Sequence, residues 1–149
     1  MNLRQYTAGA PTIAAAVLVA SGCGGPSCPT ETPAKVDAIG SCTAKPNDTV
    51  PFPIRLCPTC NQTGATCQVD LSAVASSGDI QLDPTVQACE SVSTCSSPGT
   101  TCQANPLTCS FRAPAAEGRY TVLVFDPASG QTLPGTLDVS ASVSSGCSI

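Results

Sequence analysis

From Val36 to the C-terminus, apolar side chains alternate with polar ones in short stripes. In an extended strand successive side chains point to opposite faces, so a period of two predicts strands with one buried face. Clusters of Gly, Pro, Asn and Ser separate the stripes and predict turns, and no window shows sustained helical periodicity. Besides a weaker stripe at 36–42, the stripes are Val50–Leu56, Cys67–Ala73, Ile80–Ala88, Leu107–Phe111, Tyr120–Val124 and Leu137–Val143.

These stripes predict an all-β fold. About seven short strands separated by turn residues are typical of an antiparallel β-sandwich. Pro51 and Pro53 interrupt one stripe and have no N–H to donate to a ladder, which predicts an edge strand there. Pro84 predicts a break in a later stripe.

The segment from Pro114 to Tyr120, PAAEGRY, leads directly into the most hydrophobic stripe, YTVLVF. It resembles the tyrosine corner of immunoglobulin-like sandwiches, in which a tyrosine hydroxyl bonds back to upstream backbone. The resemblance implies an immunoglobulin-like fold, and a plain buried tyrosine is the alternative. The turn residues from Asp126 to Gly130 predict a hairpin into the last strand.

Composition points to a fold stapled by disulfides. The 149 residues include eleven Cys and fourteen Pro, but only three Phe, two Tyr, no Trp and no His. A core built mainly from Val, Leu, Ile and Ala is small, and cross-links are the usual supplement. The net charge is −4, with no cluster of Lys or Arg. We therefore expect no nucleic-acid partner, because such partners need a basic surface.

The N-terminus has the pattern of an export signal. A short segment with one cation, Arg4, precedes an apolar stretch at residues 8–20. This stretch is too short to cross a bilayer as a helix, which takes about 20 residues. It fits the apolar region of a secretory signal peptide.

The next residues, Ala20-Ser21-Gly22-Cys23, resemble the lipobox of bacterial lipoproteins. In that family small residues precede a cysteine that receives a diacylglycerol, and the leader is then removed. The resemblance implies cleavage after Gly22, a covalent lipid on Cys23 and attachment to a membrane. Gly24 follows, and the absence of Asp at this position favours the outer membrane in that family.

Two other interpretations of the N-terminus remain open, namely signal cleavage without lipidation and an uncleaved apolar terminus in the domain. Acylation of Cys23 leaves ten cysteines, an even number, which favours the lipoprotein. The predicted organisation is a signal peptide at 1–22, a Gly/Pro-rich tether at 23–34, and a cysteine-rich β-sandwich domain at 35–149.

The ten other cysteines are predicted to form the disulfide framework of an exported domain. They are Cys28, Cys42, Cys57, Cys60, Cys67, Cys89, Cys95, Cys102, Cys109 and Cys147.

The pattern T-C-x-x-x-G-x-T-C-Q occurs twice, 35 residues apart. Its central glycine permits a turn that brings the two cysteines of each copy within disulfide reach. This predicts two local bridges, Cys60–Cys67 and Cys95–Cys102. A core bridge between Cys67 and Cys109 competes with them, because both residues lie on inward-facing stripes.

Cysteine chemistry offers the sharpest catalytic candidate. Cys57-Pro58-Thr59-Cys60 resembles the redox motif of thioredoxin-like enzymes, in which a helix N-terminus activates the first thiol. The pattern shows neither that helix nor βαβ units, so structural disulfides are the preferred interpretation. Three thiolates from Cys57, Cys60 and Cys67 could hold zinc, but we expect no metal and no cofactor besides the lipid.

The predicted function is a non-catalytic module for binding, adhesion or envelope structure, exported and anchored through Cys23. Without histidine the chain lacks a Ser–His or Cys–His dyad. We expect an outer-membrane or cell-surface location and a partner protein of the envelope or surface. The alternative is a thiol–disulfide oxidoreductase that uses Cys57 and Cys60.

Overall fold

The computed structural model describes residues 27–90, 102–127 and 129–149. The predicted signal peptide, its cleavage site Ala20-Ser21-Gly22 and Cys23 lie outside the described residues, as does Cys95. The described part is almost entirely β-structure, with ten strands and one four-residue helix. Within it, no helix is long and apolar enough to cross a membrane.

The strands are β1 Thr30–Pro33, β2 Val36–Ile39, β3 Ser41–Ala44, β4 Thr49–Leu56, β5 Gln62–Asp70, β6 Asp79–Ala88, β7 Leu107–Arg112, β8 Gly118–Asp126, β9 Gln131–Val139 and β10 Gly146–Ser148. The helix α1, Val74–Ser77, lies between β5 and β6. Strand β1 falls within residues 23–34, where the sequence predicts a tether, so this end of the predicted tether has regular structure.

Two sheets enclose the core. The larger has seven strands in the order β1-β6-β8-β9-β3-β10, with β5 also paired to β6. The smaller has the order β2-β4-β7. The predicted all-β class is confirmed, but the predicted antiparallel arrangement is wrong in part, because β6–β8 and β3–β9 are parallel pairs. The immunoglobulin-like assignment stays a prediction.

Glycine allows the chain to pass from one sheet to the other. The weak stripe at 36–42 is two strands rather than one, β2 in the small sheet and β3 in the large one, with Gly40 between them. A Cβ on Gly40 would lie 2.6 Å from both the Pro53 Cγ and the Ser148 carbonyl oxygen. A Cβ on Gly135 would lie 2.5 Å from the Ile39 Cγ2. No other residue fits at this crossing without displacing backbone.

The core consists of the inward side chains that the stripes predicted. At most 1% of each of the following is exposed: Val50, Phe52, Ile54, Leu56, Ile80, Leu82, Val86, Cys109, Val122, Val124 and Leu137. Some predicted stripes run too far, because β5 ends at Asp70 and β9 at Val139. Leu71, just past the end of β5, is 39% exposed.

Strand β4 is the central strand of the small sheet, so the edge position predicted from Pro51 and Pro53 is wrong. The Pro53 carbonyl oxygen accepts a hydrogen bond from the Gly40 N–H at 3.0 Å, so its backbone faces the side of β4 on which β2 lies. Pro51, two residues earlier, faces the same side. Strand β2 ends at Ile39 and pairs with neither proline. Their missing N–H groups therefore interrupt no ladder.

Strand β6 runs through Pro84 without the predicted break. On one side of β6, pairing with β8 ends at Leu82 and pairing with β1 begins at Thr85. The Pro84 carbonyl oxygen accepts a hydrogen bond from the Ala34 N–H in this gap. Pro84 thus faces the gap between two partner strands, where the N–H that proline lacks is not needed for a ladder.

The tyrosine at the start of β8 makes the hydrogen bond that its motif predicts. Its hydroxyl donates to the Ala116 carbonyl oxygen, four residues upstream, at 2.8 Å. The Tyr120 side chain is 8% exposed, and its hydroxyl is therefore satisfied locally while the ring packs on the core.

Disulfides connect distant parts of the fold. The described bridges are Cys28–Cys89, Cys42–Cys147, Cys57–Cys102 and Cys67–Cys109. Cys60 is disulfide-bonded as well.

The local bridges predicted from the repeated pattern, Cys60–Cys67 and Cys95–Cys102, are therefore wrong, and the competing core bridge Cys67–Cys109 is present. Cys67 lies on the core side of β5, and its bridge ties β5 of the large sheet to β7 of the small one.

A buried carboxylate organises the predicted hairpin between β8 and β9. Asp126 is 6% exposed. Its Oδ1 accepts from the Val36 N–H at 3.3 Å, and its Oδ2 accepts from the Ser129 N–H at 3.1 Å and the Ser129 hydroxyl at 2.6 Å. The same side chain thus fixes the turn and holds the start of β2 against it.

We predict that Asp126→Ala lowers the free energy of unfolding by about 1–3 kcal/mol, because it leaves the buried Val36 N–H without an acceptor and removes both hydrogen bonds from Ser129. Urea denaturation measures this change. The matched control, Asp83→Ala on the exposed side of β6, should change stability by no more than about 0.5 kcal/mol. Equal effects of the two substitutions would contradict the structural role of Asp126.

Candidate functional site

The two cysteines of the Cys57-Pro58-Thr59-Cys60 motif have separate partners. Cys57 is 2% exposed and bonds to Cys102. Cys60 is also disulfide-bonded, so its partner is a different cysteine. The segment after Cys57 is a turn into β5, in which the Thr59 N–H donates to the Gln62 Oε1 at 2.9 Å. No helix of the described chain begins at this motif, so the helix dipole that activates such thiols has no counterpart here.

The same region contains a group with metal-ligand chemistry. A carboxylate oxygen of Asp37 and the sulfurs of Cys57 and Cys102 lie within 4.8 Å of one another. The two sulfurs are joined in a disulfide and offer no thiolate. Asp37 also pairs with Arg55 at 3.5 Å. The predicted zinc alternative fits no better, because Cys57, Cys60 and Cys67 are all disulfide-bonded.

The large sheet presents a broad surface to solvent, which we call the outer face. It consists of the side chains on four neighbouring strands that alternate with the buried ones. They are Thr66, Gln68 and Asp70 on β5, Gln81, Asp83 and Thr85 on β6, Leu123 and Phe125 on β8, and Thr132 and Pro134 on β9.

The strand registers place these side chains in rows. One row runs Asp70, Gln81, Leu123 and Pro134 across all four strands. Phe125 lies beside this row, two residues along β8 from Leu123. Leu123, Phe125 and Pro134 therefore form a compact apolar patch, bordered on the β6 side by amides and carboxylates.

Phe125 is the exposed aromatic side chain of this patch. It is 46% exposed, and only Leu71 and Ile149 share this status among the large apolar side chains of the described residues. The other two phenylalanines, Phe52 and Phe111, pack in the core with ring centroids 6.2 Å apart. The sequence of residues 120–126 predicts this exposure. Tyr120 and its i+2 neighbours face the core, so Phe125, an odd number of residues from Tyr120, faces solvent.

The seven-stranded sheet is strongly acidic. Its only Lys or Arg within the described strands is Arg119. The carboxylates on these strands are Glu31, Asp70, Asp79, Asp83, Asp126 and Asp138. Arg119 is already paired with Asp138, through contacts of 2.7 and 3.2 Å.

Hydrogen bonds keep two of the surface carboxylates ionised. The backbone N–H of Ser72 donates to Asp70 at 2.8 Å, and this bond lowers the pKa of Asp70. The hydrogen bond from Arg119 lowers the pKa of Asp138, and the carboxylate in turn raises the pKa of Arg119. A carboxyl group whose pKa is lowered in the folded state stabilises that state at pH values above its pKa in the unfolded chain. This small contribution is lost as the pH falls through the pKa of the folded state.

A groove lies at the other edge of the large sheet. It is a shallow groove of about 360 Å³, lined by residues of β3, β9 and β10 that include the Cys42–Cys147 bridge, Thr136 and Asp138.

No family model matches this chain, and neither a curated protein nor a solved structure matches it.

We predict that the pKa of Asp138 lies below 3.8 in the native protein and rises toward that value in Arg119→Gln, which removes the charged donor. Carbon-13 NMR titration of the carboxyl groups measures both values. Asp70 serves as the internal control, because its pKa depends on Ser72 and should stay low in the variant. An unchanged Asp138 midpoint would contradict the assigned cause.

Proposed function

We propose that this protein is an exported lipoprotein, held on a membrane by a lipid on Cys23, that acts as a non-catalytic binding module. The observation that carries export is the disulfide framework. Nine cysteines of the described residues are disulfide-bonded, across sequence separations as long as 105 residues. Such bonds persist in oxidising compartments and are rare in the cytosol.

Cysteine parity supports the lipid on Cys23. The nine bonded cysteines and Cys95 make ten, an even set that needs no further partner. Cys23 is the eleventh cysteine of the chain and follows Ala20-Ser21-Gly22, as in the lipobox. Acylation accounts for it without leaving a free thiol in an oxidising compartment.

The distance from the lipid to the body is short. Cys28 is five residues beyond Cys23 and is fixed to the end of β6 by its bond to Cys89. Five residues span at most about 18 Å. The proposed anchor therefore holds the domain next to the headgroups, where its partner must also reside.

The outer face is the proposed binding surface. The chain has only five aromatic residues, and one of them, Phe125, is exposed on the outer face near the end of β8. Aromatic side chains are enriched among the residues that dominate binding energy at interfaces. The carboxylates around the patch fit a cationic partner, and they oppose face-to-face pairing with a second copy. We therefore propose a cationic, partly apolar polypeptide segment of an envelope protein as the ligand.

The alternative function, a thiol–disulfide enzyme, gains no support from the contacts of the described residues, since Cys57 and Cys60 have different partners.

We predict that the protein extracted from membranes has the mass of a chain beginning at Cys23 plus a diacylglycerol. Intact mass spectrometry measures this. Cys23→Ser should abolish the modification and release the protein from the membrane fraction, whereas an unmodified mature wild-type chain would refute the anchor.

We also predict that Phe125→Ser weakens binding of an immobilised peptide of alternating Lys and Leu by about tenfold or more, as is typical of an aromatic hot spot. Surface plasmon resonance at low and high salt measures the affinity, and salt should weaken it. The control Leu71→Ser removes a comparably exposed apolar side chain, at 39% against 46% for Phe125, outside the patch and should bind as wild type. Identical affinities for both variants would exclude the outer face as the binding surface.

A further inference from the structure

The last ten residues of the chain contribute nothing to the core. None of residues 140–149 is buried. Strand β10 pairs with β3 alone, over three residue pairs. Its other hydrogen bonds to the body join exposed groups, among them those from the Thr43 hydroxyl to the Ser144 carbonyl at 2.7 Å, from the Ser145 hydroxyl to Asp48 at 3.0 Å and from the Ala141 N–H to Glu117 at 2.7 Å. This segment therefore depends on its covalent link.

That link is the Cys42–Cys147 bond, which joins residues directly opposite each other on β3 and β10. Both cysteines line the open groove beside β9, and Cys147 is exposed. The bond is thus open to attack from solvent. The Cys67–Cys109 bond also has one buried member, Cys109, but it joins the two sheets through the core, whereas the Cys42–Cys147 bond joins two neighbouring strands of one sheet.

We propose that the Cys42–Cys147 disulfide is a redox-controlled clasp, whose reduction by an external dithiol frees residues 140–149 and leaves the rest of the fold intact. A thiolate of the dithiol attacks the Cys147 sulfur, and Cys42 leaves and takes up a proton. The second thiol of the reductant, as a thiolate, then attacks the reductant's other sulfur, which is bonded to Cys147 in the mixed disulfide, and Cys147 leaves and takes up a proton. The two cysteines gain two electrons, and the dithiol becomes a disulfide.

The fold is built to survive this step. Strand β3 keeps its parallel pairing with β9 over four residues. Cys42 is 3% exposed and packs in the core cluster, where a free thiol behaves as a small apolar side chain. Departure of β10 exposes a row of unpaired backbone groups on β3, the kind of edge that accepts an added strand. The clasp therefore controls access to this edge.

Stepwise reduction of the wild-type protein tests the order of opening. Dithiothreitol is raised in small steps, free thiols are alkylated, and peptides are identified by mass spectrometry. Cys42 and Cys147 should be labelled first, while circular dichroism keeps the native β spectrum. Earlier labelling of any other bonded pair, or labelling of all pairs together with loss of the spectrum, would overturn the clasp.

Variants test the release itself. In Cys42→Ala/Cys147→Ala, hydrogen exchange should show loss of protection only at 140–149 and at those amides of 41–44 that face β10, while the amides of 41–44 that face β9 stay protected. The matched control, Cys67→Ala/Cys109→Ala, removes the bridge between the sheets and should lose protection throughout the core. Full protection of 140–149 in the first variant would refute the inference, and so would global loss of protection.

Discussion

The Cys67–Cys109 bond is the constraint on which the rest of this fold depends. It joins β5, an outer strand of the large sheet, to β7, an outer strand of the small sheet. Among the described pairings no backbone ladder connects these two strands. The bond closes a loop of 42 residues, which in the loop-entropy account stabilises by between about 3 and 5 kcal/mol. That is a large share of the net stability of a typical domain, about 5–15 kcal/mol. A core of aliphatic side chains with two packed phenylalanine rings needs such a supplement.

The sequence predicted the features that depend on local pattern, but not those that depend on chain topology. The stripes along β4, β6 and β8 identified the buried residues, since period two depends on the strand alone. The disulfide pairing did not follow, because the repeated cysteine pattern describes local spacing, whereas Cys67 meets Cys109 only through the arrangement of two sheets. The prolines of β4 and β6 were misinterpreted for a similar reason. A proline fits inside a strand where the neighbouring strand ends. The sequence around the proline does not show where that neighbouring strand ends.

The candidate binding surface was within reach of the sequence, but was not identified there. Once Tyr120, Val122 and Val124 are assigned inward, Leu123 and Phe125 must face out. What the sequence could not give is the row that brings Asp70 beside Leu123, because it requires the parallel pairing of β6 with β8. The Cys57-Pro58-Thr59-Cys60 motif shows the opposite situation, in which the two cysteines of a recognisable local pattern belong to different disulfides.

The separation of 105 residues between Cys42 and Cys147 sets the order in which their bond can form during synthesis. A chain made or exported from its N-terminus presents Cys42 long before its partner exists. At synthesis rates of about 5–20 residues per second, the 105 intervening residues take about 5–20 s to appear. Thiol oxidation occurs on the scale of seconds to hours, so Cys42 meets Cys57 and Cys60 first. A bond from Cys42 to either of them would be non-native and would have to isomerise, and the native Cys42–Cys147 pairing can form only after Cys147 has emerged.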